Sequence, residues 1–171
     1  RLFLKNNPEH RVINLDKLTY CGNAANLCDI AESQRYRFVQ GDIADRNLIF
    51  DLLRDVSVVI NFAAETHVDR SIENADDFIH SNIIGVKTLL DGVNRCSVER
   101  FVHVSTDEVY GSVPEGACRE DAPLKPNSPY AASKAAADLL IRSYYVTHKT
   151  PVIITRSSNN FGPYQYPEKI I

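Results

Sequence analysis

Residues 101–111 read FVHVSTDEVYG, and this stretch decides the fold. Phe101, Val102 and Val104 make an aromatic and β-branched run of strand length. The run stops at Ser105, Thr106, Asp107 and Glu108, and Gly111 closes it. Four other runs share this build: residues 11–15 (RVINL), 36–40 (YRFVQ), 58–62 (VVINF) and 151–156 (PVIITR). Helical patterns lie between them at residues 23–32, 45–55, 74–95 and 129–148. Strand and helix alternate along the whole chain, which predicts an α/β domain with a doubly wound parallel sheet. In such a sheet ligands bind beyond the carboxyl ends of the strands, so the residues that follow each run are the ones to read.

Composition narrows the rest. The 171 residues suit one domain or part of one. With 44% hydrophobic and 24% charged residues the chain can bury a core and is not of the disordered class. A net charge of -3 gives no basic footprint for nucleic acid. The longest apolar stretch, residues 58–64, is interrupted by Asn61 and is too short to span a bilayer. There is no methionine, residues 1–7 read as the end of a helix, and the chain stops at Ile170 and Ile171, so an internal piece of a longer protein is expected. Cys21, Cys28, Cys96 and Cys118 form no CxxC pair, which suits free thiols in a reducing cytoplasm. The five histidines lack metal spacing, so no metal is expected. The segment 111–127 is the one long irregular loop, a usual place for function.

After the first run comes Asp16. A carboxylate there can accept hydrogen bonds from a ribose diol and repels a 2′-phosphate; it can equally be a turn aspartate. After the second come Asp42 and Ile43, an acceptor for an adenine amine and a cover for its ring, while Asp45 reads as a helix cap. After the third, Ala63 and Ala64 allow close backbone approach to a flat cofactor, though small-residue packing explains them nearly as well. His67 reads as a structural histidine before a catalyst. After the fourth, the Thr106–Asp107–Glu108 cluster is either a solvated acidic turn or a pair of acid–base groups at the mouth of the sheet.

The sharpest local signal is SPYAASK, residues 128–134. Ser128 can cap a helix and Pro129 suits its first position. Tyr130 and Lys134 are four apart and share one helix face. An ammonium beside a phenol stabilises the phenolate, so a lowered Tyr130 pKa is expected, giving a base for a sugar hydroxyl.

Tyr130-x-x-x-Lys134, with Thr106 at a strand end, resembles the extended short-chain dehydrogenase/reductase family. DKLTYCGN, AAETHVDRS, STDEVYG, PYAASKAAAD and SSNNFGPYQYPEK are similar to the sugar-nucleotide 4,6-dehydratases within it. The resemblance covers essentially the whole chain, and Thr-Asp-Glu is its most discriminating part. It implies an NAD-binding Rossmann domain lacking its first strand and its C-terminal substrate domain, with residues 157–171 beginning the substrate-contacting region. The glycine-rich pyrophosphate turn would precede Arg1. The implied reaction converts dTDP-glucose to its 4-keto-6-deoxy form. Tyr130 would deprotonate the 4-hydroxyl, Glu108 take the C5 proton, Asp107 protonate the departing 6-hydroxyl, Thr106 bond the sugar near O4, and Lys134 hold the ribose. Asp16, Lys17, Asp42, Ile43, Phe62, Ala63, Ala64, Ser81, Tyr130, Lys134 and Asn160 would lie along NAD. Thr66, Thr106, Asn159, Lys169 and Ile170 would meet the substrate. A homodimer is implied too. Two other readings stay open: a 4-epimerase or glucuronate decarboxylase of the same fold, which has no use for Asp107, and a non-catalytic dinucleotide sensor, which need not keep the four acid–base groups together.

Overall fold

The structure, a computed structural model, describes residues 1–167. It divides into two compact units, residues 1–42 with the segment from Phe161, and residues 43–160.

In the first unit, helix α1 (Leu2–Asn6) leads into β1 (Val12–Asp16), which pairs in parallel with β2 (Tyr36–Gln40). The open carboxyl end of α1 is closed by Arg35, whose guanidinium donates to the carbonyls of Leu4 at 3.0 Å and Asn7 at 3.2 Å. The helix expected over 23–32 is a single 3-10 turn, Ala24–Leu27. Asn23 starts it by accepting the Ala25 N–H at 3.0 Å. The bonds that follow stay in the i to i+3 pattern, Cys28 to Ala25 and Ile30 to Leu27. Asn, Cys, Asp and Ser are weak helix formers that compete for nearby backbone groups, so the segment turns instead of propagating.

In the second unit, β3 (Val58–Asn61), β4 (Arg100–Thr106) and β5 (Val152–Ser157) form a parallel sheet in that order. Asp45 caps α2 (Arg46–Leu52), accepting the N–H groups of Asn47 at 3.0 Å and Leu48 at 3.1 Å. A short helix not expected from sequence, α3 (Val68–Glu73), follows β3. The stretch expected as one helix is α4 (Asp76–Ile79), a π turn (His80–Gly85) and α5 (Val86–Arg95). The π turn places Gly85 against Ile43, whose side chain would collide with a Cβ at that position. Helix α6 (Pro129–His148) has the expected bounds: Ser128 accepts the Ala131 N–H at 3.1 Å, and Lys149 in the left-handed region ends it. Phe101, Ile49, Leu90, Val86, Val93 and Ile141 are fully buried and make the core of this unit. Each such side chain stabilises the fold by roughly 1.5–3 kcal/mol.

All pairings are parallel, as the α/β reading requires. The described strands form two sheets, not one. Within each sheet the paired strands are neighbours in a Rossmann order. Val58 and Ile60, which share one face of β3, are about half exposed, at 50% and 49%.

Candidate functional site

In the second unit the site is built where β4 ends. Thr106, the last residue of β4, is buried, and its Oγ1 accepts the Glu108 N–H at 3.2 Å, which starts a 3-10 turn over Asp107–Tyr110. That cap turns the chain sharply and leaves Asp107 and Glu108 exposed at the strand mouth. Gly111 then takes φ +79, and a Cβ there would run into the Lys125 carbonyl, so the glycine lets the loop fold back on itself. Lys125 N–H closes it on the Val109 carbonyl at 2.9 Å. A cleft of about 880 Å³ opens here, lined by Asp107, Glu108, Tyr110, Ile154 and Arg156 among others.

Helix α6 brings its first turn to the same place. Tyr130 is 8% exposed and is held at both ends of its peptide unit. Its N–H donates to Ser71 Oγ at 3.1 Å, and its carbonyl accepts from Ser133 Oγ at 2.7 Å. Phe78 packs edge-on against the ring at 6.4 Å. Ser133 is pinned in turn by Asn82 Nδ2 at 2.8 Å. Asn82, buried in the π turn, also clamps both backbone groups of Glu65 at 3.0 Å. One amide thus ties the loop after β3 to the helix that carries Tyr130.

The phenol is pushed up to about 12: burial is the largest cause, the charges of Glu108 and Asp107 add to it, and a bond with Thr106 pulls the other way. This reverses the lowering expected from the Tyr130–Lys134 spacing. The two residues do share a buried helix face, but the Lys134 side chain runs to the strand. Its Nζ donates to the Val104 carbonyl at 2.7 Å and lies 3.3 Å from His103 Nε2. Burial pulls the Lys134 amine down to about 8, with Asp138 opposing.

The remaining expected residues fall as follows. Asp16, Lys17 and Asp42 gather in the first unit at the carboxyl ends of β1 and β2, with Lys17 Nζ 2.8 Å from Asp42 Oδ2. One oxygen of Asp16 accepts the Leu18 N–H at 2.8 Å, a turn role that leaves its carboxylate exposed. In the second unit Ala63, Ala64 and Ser81 are half-buried, and Phe62 and Thr66 are exposed. Ile43 is buried against the π turn, so packing accounts for its side chain. Asn159 and Asn160 are exposed after β5, the latter donating to Ser157 Oγ at 2.9 Å. Lys169 and Ile170 lie outside the described residues. His67 caps α3 through its ring, a structural role.

Sequence reading missed the groups beneath the site. Arg156, on β5, donates from Nε to Asp138 at 2.8 Å, and from Nη1 to the Tyr110 hydroxyl at 2.6 Å and the Glu120 carbonyl at 3.1 Å. Burial alone would lower the guanidinium, but the bonds to Tyr110 and Asp138 more than offset it. Burial, opposed by Arg156 and Ser105, holds the Asp138 carboxyl above its ordinary value. The available signal was a polar residue interrupting an apolar pattern: Asn61 and His103 inside strands, Asn82 and Asp138 inside helices.

Comparison with known proteins places this arrangement. Residues 1–171 match the family model described as GDP-mannose 4,6 dehydratase. A dTDP-glucose 4,6-dehydratase of Streptomyces niveus is 54% identical over 161 residues, covering 94% of this chain and 48% of the relative. The low-salt glycan biosynthesis protein Agl12 of Haloferax volcanii is 51% identical over 169 residues, covering 99% of this chain and 54% of its own length. Among solved structures, the dTDP-glucose 4,6-dehydratase DesIV of Streptomyces venezuelae, crystallised with NAD, superposes with a TM-score of 0.94 at 53% identity, over 98% of this chain and 52% of that one. The chain therefore spans about half the length of the relatives it matches. A parallel α/β fold, a Tyr130–Lys134 helix packed on the Thr106 strand end, and a family match over every residue lead to one conclusion: this chain belongs to the GDP-mannose 4,6 dehydratase family.

Proposed function

We propose that this chain carries the cofactor-binding and acid–base part of an NAD-dependent dTDP-glucose 4,6-dehydratase. The observation that carries the reading is the joining of two carboxyls, Asp107 and Glu108, to a buried phenol, Tyr130, at one strand mouth around Thr106. The residues suit NAD chemically. Asp16 presents an exposed carboxylate for a ribose diol, small half-buried Ala63 and Ala64 follow β3, and Lys134 brings an amine beneath the site. When bound, NAD supplies a hydride acceptor for C4 and a hydride donor for C6.

The side chains do the proton work. Tyr130 takes the 4-hydroxyl proton as C4 is oxidised, with Thr106 aligning the hydroxyl. A phenol raised to about 12 is a poor base at neutral pH, so it needs a positive charge brought close, and a protonated Lys134 is the group of this chain that would supply it. The 4-keto group acidifies C5, where Glu108 removes the proton. Asp107 protonates the 6-hydroxyl, which leaves as water. Two nearby carboxyls resist ionising together, so one keeps its proton for the leaving group. A 4-epimerase or a decarboxylase expels no 6-hydroxyl and gives Asp107 no work.

Exposed Ile79 and Ile84 near the π turn, with Leu139, Tyr145 and Val146 on α6, support a homodimer joined through these helices. The cysteines carry no disulfide among the described residues, and no described helix is long and apolar enough to cross a membrane; the thiols support a cytoplasmic location.

Single-turnover absorbance of reduced cofactor in the intact protein tests the reading. Asp107→Asn and Glu108→Gln should still reduce bound NAD but slow water loss by roughly a hundredfold or more. Tyr130→Phe should lose the first step. Wild-type product formation by Asp107→Asn would take the acid role from Asp107 and remove the main discriminator against an epimerase.

A further inference from the structure

A chain of hydrogen bonds beneath the site accounts for one proton. Ala63 N–H donates to Asn61 Oδ1 at 3.1 Å, so the amide of Asn61 is oriented with Nδ2 on its other side. Nδ2 lies 3.1 Å from His103 Nδ1, and His103 Nε2 lies 3.3 Å from Lys134 Nζ. Asn61, His103 and Lys134 are 4%, 0% and 3% exposed, so water cannot repair a mismatched pair. An amide NH2 can only donate, which makes Nδ1 the acceptor. A neutral imidazole then carries its hydrogen on Nε2, facing Lys134. That N–H needs a lone pair opposite it, and an ammonium has none. An uncharged amine satisfies every contact: it accepts from Nε2–H and donates to the Val104 carbonyl at 2.7 Å. An ammonium would force the hydrogen onto Nδ1, against the donating amide, leaving two buried donors facing each other.

We propose that Asn61 and His103 are positioning residues for Lys134: Asn61 sets the imidazole tautomer, and the tautomer keeps the resting Lys134 an uncharged amine that gains its proton when nucleotide binds. Burial of His103 and of Lys134 acts in the same direction, holding the imidazole neutral and pulling the amine down. The other groups facing Lys134 are Asp138 on its own helix, which favours the ammonium, and Arg156 of β5, which neutralises that carboxylate from 2.8 Å. Phe101 stacks beside the imidazole and contributes no charge. The proton gain on binding rests on the proposed NAD function; the tautomer does not.

The test is 15N NMR of histidine-labelled intact protein, with the His103 signals assigned by their loss in His103→Gln. At pH 9 without nucleotide, above the lowered value of the Lys134 amine, Nε2 should be protonated and Nδ1 bare. Asn61→Asp gives Nδ1 a carboxylate acceptor and should switch the hydrogen to Nδ1. Wild-type His103 protonated on Nδ1, or on both nitrogens, overturns the proposal, as does an unswitched tautomer in Asn61→Asp. Should that variant not fold, the wild-type spectrum decides alone. Calorimetric titration with NAD at pH 9, in two buffers of different ionisation heat, reads the second part. Wild type should take up as much as one proton per NAD and Asn61→Asp markedly less; equal uptake overturns the coupling. An absence of NAD binding with the expected tautomer would count against the proposed function and leave the Asn61–His103 assignment standing.

Discussion

Replacing Asp138 by asparagine should unlock the floor of the cleft. The Asp138 side chain is 1% exposed and pairs with Arg156 Nε at 2.8 Å, while the Arg156 side chain is 18% exposed. Removing one member of a buried ion pair costs about 3–5 kcal/mol, because the other charge is left without its partner. In Asp138→Asn the guanidinium keeps the Tyr110 hydroxyl, the Glu120 carbonyl and some solvent, which sets the loss at the low end, about 3 kcal/mol. With a urea slope of roughly 2 kcal/mol per molar, the unfolding midpoint should fall by roughly 1.5 M. Arg156→Met should cost more, about 4 kcal/mol, since it strands a fully buried carboxylate. The double variant Asp138→Asn with Arg156→Met should be less damaging than Arg156→Met alone. Because Arg156 holds the loop at Glu120 and lines the cleft with Asp107 and Glu108, both single variants should also lower turnover. Urea denaturation of the four proteins gives the coupling energy directly. Single variants within 1 kcal/mol of wild type, or a double variant that is the plain sum of the singles, would refute the account.

Other outcomes follow from the same geometry. NAD should bind tighter than NADP, because Asp16 accepts from a ribose diol and repels a 2′-phosphate; equal affinities in titrations of apo protein would remove Asp16 from the ribose site. The His103 imidazole is pulled from 6.5 to about 3, by burial first and then by Lys134. Its contribution is therefore present above pH 6.5 and lost as pH falls toward 3, amounting to about 2 kcal/mol by pH 5. The drop in urea midpoint from pH 7 to 5 should be smaller in His103→Gln, and an equal drop would show the imidazole is not the group. Because the charge of Glu108 raises the Tyr130 phenol, Glu108→Gln should lower its pKa, read as phenolate absorbance in a difference titration against Tyr130→Phe. A phenol that stayed put would mean Glu108 lies too far away to act.

The order of strands and helices could be read from the chain, because apolar periodicity and caps are local. Ser128 and Pro129 mark where α6 starts through backbone chemistry that needs no distant partner, and Asp45 does the same for α2. The cluster Thr106–Asp107–Glu108 and the pair Tyr130–Lys134 could be read for the same reason: each is a short motif on one element. The 3-10 turn at Ala24–Leu27 and the π turn at His80–Gly85 could not, since the first depends on weak propensities and the second on Gly85 meeting Ile43 forty-two residues earlier. Spacing placed Tyr130 and Lys134 on one face, and from that alone the phenol should have been acidified. Tertiary structure decided otherwise: burial and two carboxylates raise the phenol, while Lys134 is turned toward Val104 and His103. A pKa is set by everything within a few ångströms, and those neighbours come from β3, β4, α6 and β5, which only the folded chain brings together.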